Sequence, residues 1–288
     1  MRALAIVPVL SLALAVSAAA VDVTTCGQSV ADLDVGVLQV DLDCTGQPGI
    51  CAQPGGNDQD VACSTAGDCY LVRDTCARTA VSLGAGAILQ LNGHSITGAG
   101  VLCSAEGSCT VTGPGSILSA PVGIFARTKV RASGLTVDGG VFGIVARRGG
   151  AILTDVNLTD NTGDGIWSWQ GTIRASGVVA TGNGDNGLYA KLKPIIARGV
   201  VASNNGTHGI AGTPVRGSDV TAQGNVGSGV VSETGLSIRD STLTGNGVSY
   251  GGLDVVSARR PRVRNTVCDH SKDIGPAENP NWGVCTLD

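Results

Sequence analysis

The chain has 288 residues, of which 44 are glycine and only 3% are aromatic. Hydrophobic residues make up 42%, charged residues 15%, and the formal net charge is −4. This composition excludes a disordered segment, which would need low hydrophobicity or a high net charge. It also lacks the basic surface that nucleic-acid binding requires, so we expect no nucleic-acid partner. So many glycines disfavour long helices, because each interior glycine costs about 1 kcal/mol relative to alanine, and an all-β chain with many turns is expected.

The first 20 residues have the pattern of a secretory signal peptide. Arg2 precedes an apolar run from Ala3 to Val16, and small residues follow up to Ala20. The run is too short for a membrane span, which needs about 20 apolar residues. We therefore predict a cleaved signal peptide at 1–20, secretion to the extracellular space or periplasm, and a monomeric mature protein that is not attached to a membrane.

Ten cysteines, an even number in a chain with an export signal, indicate disulfide bonds. Zinc is the alternative, but no Cys-x-x-Cys pair occurs, and we predict no metal site. Proximity favours three pairs, which are Cys103 with Cys109, Cys268 with Cys285, and Cys26 with Cys44. The other four cysteines, whose three possible pairings stay open, are Cys51, Cys63, Cys69 and Cys76. We expect a disulfide-rich N-terminal cap over 21–84 that contains a Cys-rich insertion at about 47–76, and a C-terminal cap over 268–288.

A glycine followed by an aliphatic residue recurs at steps of 20 to 23 residues. The eight pairs are Gly100-Val101, Gly123-Ile124, Gly143-Ile144, Gly165-Ile166, Gly187-Leu188, Gly209-Ile210, Gly229-Val230 and Gly252-Leu253. An asparagine stands four residues before the glycine in four successive repeats, at Asn161, Asn183, Asn205 and Asn225. A repeat of about 22 residues with room for three short strands is typical of one coil of a parallel β-helix, in which equivalent strands stack about 4.8 Å apart. Stacking predicts a structural ladder of side-chain amides from the four asparagines.

Three features resemble the right-handed parallel β-helix proteins of the pectin-lyase-like superfamily, over roughly residues 35–285. They are the segment Leu38–Cys44, the segment Leu89–Gly98 and the Asn-x-x-x-Gly-Ile repeats. The resemblance implies an all-β, single-stranded right-handed parallel β-helix with three strands per coil, which we place at 85–267. It also implies a secreted protein that binds or acts on polysaccharides, because the superfamily contains lyases, polygalacturonases and epimerases beside members of unassigned function.

Side-chain alternation along the strand that begins at each glycine, taken as position 0, separates inward from outward residues. Positions +1 and +3 are apolar or small and are predicted to face inward. Positions +2 and +4 face outward and carry four of the chain's eight aromatic residues together with three cations. We predict that the rings stack on sugars and that the cations pair with uronate carboxylates; the alternative is that a loop or cap covers the rings. The predicted substrate-binding residues are Phe125, Arg127, Arg147, Trp167, Trp169, Tyr189 and Lys191.

Asp164, Asp185 and His208 lie at or next to position −1 in consecutive repeats, and their surroundings resemble the catalytic segments of polygalacturonases. The resemblance implies that these three are catalytic residues, since glycoside hydrolysis needs two opposed carboxylates. The sequence departs from that pattern, because Asp185-Asn186 replaces the paired acids and an Arg-Ile-Lys segment is missing. Asp-Gly is also common in turns without catalytic function. No cofactor is evident, and calcium is expected only if the protein is a lyase.

A second outward ladder consists of Arg131, Arg174, Arg216, Arg239 and Arg264. With Asp155, Asp219 and Asp240 nearby, we predict a solvated stripe of salt bridges; binding of an anionic polymer is the alternative. Together these features predict a secreted protein that binds or processes an extracellular polysaccharide, with uronate polymers favoured. The alternatives are a non-catalytic structural or adhesion protein, and a polygalacturonase-like hydrolase or polysaccharide lyase.

Overall fold

The computed structural model describes residues 20–45, 71–72, 75–76, 78–103, 107–247, 253–274 and 282–288, and within these ranges it contains strands and turns but no helix. The strands in chain order are β1 (Ala20–Val23), β2 (Gln28–Val30), β3 (Val35–Leu38), β4 (Leu42–Asp43), β5 (Leu71–Val72), β6 (Thr75–Cys76), β7 (Thr79–Leu83), β8 (Ile88–Gln90), β9 (Ser95–Thr97), β10 (Gly100–Cys103), β11 (Cys109–Thr112), β12 (Ser116–Leu118), β13 (Val122–Ala126), β14 (Lys129–Ser133), β15 (Thr136–Asp138), β16 (Phe142–Ala146), β17 (Gly150–Thr154), β18 (Asn157–Thr159), β19 (Ile166–Ser168), β20 (Ile173–Ser176), β21 (Val179–Thr181), β22 (Leu188–Ala190), β23 (Ile195–Ser203), β24 (Ile210–Gly212), β25 (Val215–Gln223), β26 (Val230–Ser232), β27 (Leu236–Arg239), β28 (Thr242–Thr244), β29 (Val255–Ser257), β30 (Arg262–Arg264), β31 (Val267–Cys268) and β32 (Ser271–Asp273). The predicted signal peptide and the pairing of Cys51, Cys63, Cys69 and Cys76 lie outside the described residues.

The strands wind into a parallel β-solenoid, which confirms the predicted fold class. Each coil places one strand in an eleven-stranded sheet and two strands, or one long strand that bends, in a nineteen-stranded sheet. The coil of β19, β20 and β21, for example, stacks on β22 and on the nine-residue β23. The pairings are parallel except for that of β5 with β6. Parallel stacking already begins with β1 on β3 and β3 on β8, upstream of the predicted start of the solenoid at residue 85.

The interior is a continuous column of aliphatic side chains. The residues predicted inward at position +1 are fully buried, and they are Ile124, Ile144, Ile166, Leu188, Ile210 and Val230. Each such side chain contributes about 1.5–3 kcal/mol when buried, and each packs on its equivalent in the next coil. One assignment was wrong. Val230 pairs with Val255, so Asp254, and not Gly252, takes the glycine position in the last repeat. The chain is two residues longer there than the glycine spacing indicates, and Asp254 is therefore buried instead of outward.

The predicted asparagine ladder is present and runs further than the repeat indicated. The Nδ2 to Oδ1 distances between successive members of the series Asn161, Asn183, Asn205, Asn225 and Asn246 are 2.9, 3.0, 2.9 and 2.8 Å. Asn246 Nδ2 then donates to Asp254 Oδ1 at 2.8 Å, so a carboxylate ends the ladder. The position-0 glycines make room for these amides. A Cβ on Gly187, for instance, would lie 3.0 Å from Asn205 Nδ2.

The corner between the two strands of the nineteen-stranded sheet has a left-handed backbone residue in seven successive coils. The residues at this corner with positive φ are Gly134, Asp155, Gly177, Gly199, Asp219, Asp240 and Asn265. Glycine, aspartate and asparagine tolerate this conformation best, which explains the aspartates that the sequence placed beside the arginine ladder. The predicted salt-bridge stripe was largely wrong. The five arginines also do not form one ladder, because Arg131, Arg174 and Arg216 share a register position with Arg262, whereas Arg239 and Arg264 pair two residues further along the strand. Of the five, only Arg239 forms an ion pair within the described residues, with Asp240 at 3.3 Å.

Three disulfide bonds confirm the predicted pairs. They are Cys26–Cys44, Cys103–Cys109 and Cys268–Cys285. The last coil is further closed by Trp282, whose Nε1 donates to the Ser257 carbonyl at 3.2 Å. A helix with the length and hydropathy of a membrane span does not occur in the part of the chain that the structure describes.

Candidate functional site

The outward face of the eleven-stranded sheet changes character along the solenoid axis. Its position +2 ladder is in register and consists of Leu102, Phe125, Val145, Trp167, Tyr189, Ala211, Val231, Val256 and Lys272. As far as Val231, the predicted alternation therefore assigns these residues to the correct face. The ladder begins with large apolar side chains, passes through two aromatic residues and ends with a lysine in the last coil.

The first half of this face is a buried apolar cluster. It consists of Leu102, Val122, Phe125, Phe142, Val145 and Trp167. Phe125 is 2% exposed and Trp167 is 9% exposed, so neither ring offers a face to a sugar. The prediction that these two residues stack on substrate is therefore contradicted, because outward rings pack into a common cluster instead of facing solvent. Arg127 and Arg147 are half-buried beside the cluster, and both already make a contact of their own.

Three of the predicted substrate-binding residues, Trp169, Tyr189 and Lys191, are half-buried at the edge of this cluster. Trp169 packs edge-on against Trp167, with ring centroids 5.7 Å apart and planes at 61°. The Lys191 ammonium lies 3.5 Å from the centroid of the Trp169 ring, a cation–π contact of about 0.5–1 kcal/mol at an exposed site. Lys191 thus occupies one face of that ring, and sugar stacking on Trp169 is limited to the other face.

A second polar ladder runs along position −1, just before the strands of this sheet. Asp164 Oδ1 accepts hydrogen bonds from the main-chain N–H of Asn186 at 3.0 Å and from its Nδ2 at 2.7 Å. Asn186 Oδ1 accepts from the N–H of His208 at 3.3 Å, and His208 Nδ1 accepts from the N–H of Ser228 at 2.9 Å. This ladder was not predicted from the sequence. Its signal was a polar residue before the glycine in four consecutive repeats.

The position −1 ladder places the three predicted catalytic residues in different environments. Asp164 is 0% exposed, which contradicts contact with a substrate, and its hydrogen bonds to Asn186 indicate a structural role. Asp185 and His208 are half-buried at the surface. Asn186 Nδ2 also donates to Asp185 Oδ1 at 3.1 Å, so both carboxylates bind the same amide nitrogen, but only Asp185 reaches solvent.

Burial lowers the pKa of His208, although the charge of Asp185 acts in the opposite direction. Because Nδ1 accepts the Ser228 N–H, the neutral imidazole carries its proton on Nε2. His208 can therefore donate one hydrogen bond from Nε2 at neutral pH without carrying a charge. A lowered pKa does not favour the imidazolium that a general acid would need.

His208 also lines a cavity of about 490 Å³ on this face. The cavity lies between the turns that enter the strands and the last coil, and its other lining side chains include Thr207, Ser228, Val231, Val256 and Lys272. Its volume is typical of ligand sites, which span about 300–1,000 Å³. Lys272 supplies an ammonium, His208 and the hydroxyls supply hydrogen-bonding groups, and the valines supply an apolar wall. Lys272 was missed because it follows the last glycine of the repeat.

Among the described residues, no three His, Cys, Asp or Glu side chains converge in a way that could hold a metal ion. The prediction that calcium is needed only if the protein is a lyase stays untested. On this face, the residues that could bind a ligand are at least partly exposed, and they are Trp169, Tyr189, Asp185, His208 and Lys272.

Comparison with protein-family models agrees with this architecture. Residues 122–267 match the model of a family described as the right handed beta helix region. No curated protein matches the chain. Among solved structures, the chain is similar to the crystal structure of pectate lyase Pel9A, with a TM-score of 0.35 and 16% sequence identity over 87% of this chain and 74% of that chain. Since the family match spans about half of the sequence and lies within the stacked coils, the chain belongs to the right-handed β-helix family.

Proposed function

We propose that the protein binds an acidic polysaccharide of the uronate type along the outward face of the eleven-stranded sheet. The observation that supports this most is the cavity of about 490 Å³, in which the exposed Lys272 lies with the neutral His208 and an apolar wall. An ammonium pairs with a uronate carboxylate, hydrogen-bonding groups pair with sugar hydroxyls, and an apolar wall packs on the face of a sugar ring.

The shape of the solenoid suits an extended polymer. Stacked coils give a long surface with a repeat of about 4.8 Å, and repeat proteins commonly bind extended ligands on such surfaces. Tyr189 lies between the buried cluster and the cavity on the same position +2 ladder, so a polysaccharide that runs along the solenoid axis would contact it. The disulfide bonds support the proposal that the protein acts outside the cytoplasm, where such polymers occur.

We propose binding without hydrolysis. Glycoside hydrolysis needs two carboxylates on opposite sides of the scissile bond. Asp164 is fully buried and held by Asn186, which leaves Asp185 as the accessible member of the predicted pair. Asp185, a half-buried carboxylate next to a neutral histidine, does not by itself provide the two opposed carboxylates.

The test uses the purified protein with polygalacturonate and alginate as ligands and neutral dextran as the control polymer. Binding is measured by calorimetry, and incubations are assayed for unsaturated products and new reducing ends. We expect binding to a uronate polymer without either product. Either product would refute the non-catalytic assignment, and no binding to any uronate polymer would refute the proposed function.

Two lysine variants locate the binding site. Lys272→Gln removes the cavity ammonium, and Lys193→Gln removes an exposed ammonium outside the cavity. A hydrogen bond to a charged group contributes about 1.5–3 kcal/mol, so Lys272→Gln should weaken binding by about tenfold or more. Lys193→Gln should change it by less than about twofold. Equal effects of the two variants would contradict the assignment of the site to the cavity.

A further inference from the structure

Arginines line a second concavity of about 510 Å³, at the turns that leave the eleven-stranded sheet in the C-terminal coils. Its side chains include Arg216, Arg259, Arg260, Arg262, Thr234 and Ser237, and we call it the arginine cleft. No acidic residue contributes to its wall within the described ranges. The nearest acid in sequence, Glu233, accepts a hydrogen bond from Thr213 at 3.5 Å instead.

The four guanidinium groups of the arginine cleft are exposed, and none of them forms a hydrogen bond or an ion pair in the part of the chain that the structure describes. This concentration of positive charge occurs in a chain whose net charge is −4. Like charges that converge on one concavity repel each other unless an anion lies between them. Each guanidinium also keeps five N–H donors in a planar fork that matches an oxyanion.

Strand register explains why the arginines converge. Arg216, Ser237 and Arg262 occupy successive rungs of one ladder, so the two guanidinium stems are two strand spacings apart, about 10 Å, with a hydroxyl between them. Arg259 and Arg260 come from the turn between β29 and β30, immediately beside this ladder. The turn thus adds two cations at the point where the ladder already carries two.

The same ladder contains its own controls further upstream. Arg131 and Arg174 are exposed and alternate with Ile152 and Ile196, and neither arginine lines the cleft. Removing these two arginines changes the net charge as much as removing two arginines of the cleft. A difference between the two changes therefore reports on the cleft and not on the overall charge.

We propose that the arginine cleft is a second binding site for an acidic polysaccharide and that it binds the carboxylate or sulfate-ester groups of the polymer. Guanidinium groups bind such oxyanions through two parallel N–H···O hydrogen bonds. The cleft lies where the chain leaves the eleven-stranded sheet, whereas the His208 cavity lies where the chain enters it, so the two sites are separate. The choice of a polysaccharide as the ligand rests on the proposed function.

The experiment compares Arg260→Gln/Arg262→Gln with Arg131→Gln/Arg174→Gln. Polygalacturonate supplies carboxylates, dextran sulfate supplies sulfate esters, and neutral dextran is the control polymer. We expect the wild type to bind at least one of the two anionic polymers, more weakly as sodium chloride is raised, because salt screens exposed charges. The cleft variant should lose affinity by about tenfold or more, and the upstream variant by less than about twofold. Both variants should keep the wild-type melting temperature within a few degrees, because the side chains that they replace are exposed and form no hydrogen bond or ion pair with the described residues.

The two polymers identify the anionic group, since binding of one alone assigns the cleft to carboxylates or to sulfate esters. Equal losses of affinity in the two arginine variants would refute the proposed cleft site, because binding would then follow net charge.

Lys272→Gln is measured in parallel. If it weakens binding while the cleft variant does not, the cleft is refuted and the proposed function stands. If only the cleft variant weakens binding, the cleft stands and the cavity is refuted, and no binding of the wild type to either polymer refutes both.

Discussion

The buried amide of Asn205 connects neighbouring coils, and its removal tests the asparagine ladder directly. Its Nδ2 donates to Asn225 Oδ1 at 2.9 Å and to the Ala180 carbonyl at 3.1 Å. Its Oδ1 accepts from the main-chain N–H of Asn183 at 3.1 Å and from Asn183 Nδ2 at 3.0 Å. The residue is 0% exposed, so water does not replace these partners.

The groups that lose a partner determine the cost of Asn205→Ala. Asn183 Nδ2 keeps its bond to the Leu158 carbonyl at 3.0 Å, and Asn225 Oδ1 keeps the main-chain N–H of residue 205 at 3.0 Å. The main-chain N–H of Asn183 loses its acceptor. A buried group without a partner costs about 1–3 kcal/mol and each of the other three lost hydrogen bonds about 1 kcal/mol, so we expect Asn205→Ala to lower the free energy of unfolding by about 4–6 kcal/mol.

Asn205→Asp keeps the shape of the side chain and changes its hydrogen bonding. The aspartate keeps the acceptor for Asn183 but directs its second oxygen at two other acceptors, and it buries a charge. At the end of the ladder, Asp254 is stable because its Oδ2 accepts the N–H of Asp269 at 2.6 Å. Inside the ladder no such donor faces the second oxygen, so Asn205→Asp should destabilise at least as much as Asn205→Ala.

Urea unfolding followed by circular dichroism measures the free energy, and hydrogen exchange at the Asn183 amide measures the local effect. The local probe is needed because long repeat arrays do not always unfold in a single step. The control is Asn157→Ala, which removes an exposed amide with one hydrogen bond of 3.3 Å to Thr136 Oγ1 and should stay within about 0.5 kcal/mol of the wild type. A loss below about 1 kcal/mol for Asn205→Ala, with unchanged exchange at Asn183, would refute the reasoning.

Two further predictions concern His208 and the position-0 glycines. Burial lowers the pKa of His208 against the opposing charge of Asp185, so the unfolded chain binds the proton more readily, and stability should fall as the pH drops below about 6.5. His208→Asn keeps an acceptor for the Ser228 N–H and should flatten the dependence of the urea midpoint on pH between 7 and 5; an unchanged slope would contradict this assignment. Gly187→Ala places a Cβ 2.7 Å from the carbonyl oxygen of the equivalent glycine in the next coil and should cost about 1–3 kcal/mol, measured as a lower melting temperature. Gly235→Ala, where no atom lies within 4 Å of the added Cβ, should be nearly neutral, and equal melting temperatures for the two variants would refute the steric argument.

The fold could be predicted because the repeats contain the residues that the interior of the solenoid requires. An asparagine four residues before a glycine fixes both a ladder rung and the space beside it, as Asn183 and Gly187 show. The last rung could not be predicted, because a carboxylate can accept the hydrogen bonds of an amide and nothing in the spacing marks Asp254 as the equivalent of a glycine.

For the candidate site, side-chain alternation predicted the face of the sheet but not the exposure of its residues. Alternation identifies the face on which Phe125 and Trp167 lie, but it says nothing about whether neighbouring side chains bury them there. The resemblance of the Asp164 segment to a catalytic segment failed for a related reason. The Asn186 amide of the next coil binds that carboxylate, and such a contact between coils is not visible in a local motif.

The two ligand sites that we propose lie where the sequence departs from its repeat, and the structure gives a physical reason. An inward residue must fit its equivalents above and below, so Ile144 and Ile166 are followed by similar side chains over many coils. An outward residue has solvent on one side and is free to change from coil to coil. Lys272 ends an outward ladder that is otherwise apolar or aromatic, and Arg259 and Arg260 are exposed cations in the turn between β29 and β30. In a stacked fold the periodic positions therefore maintain the solenoid, and the aperiodic outward positions are those at which binding can evolve without cost to the core.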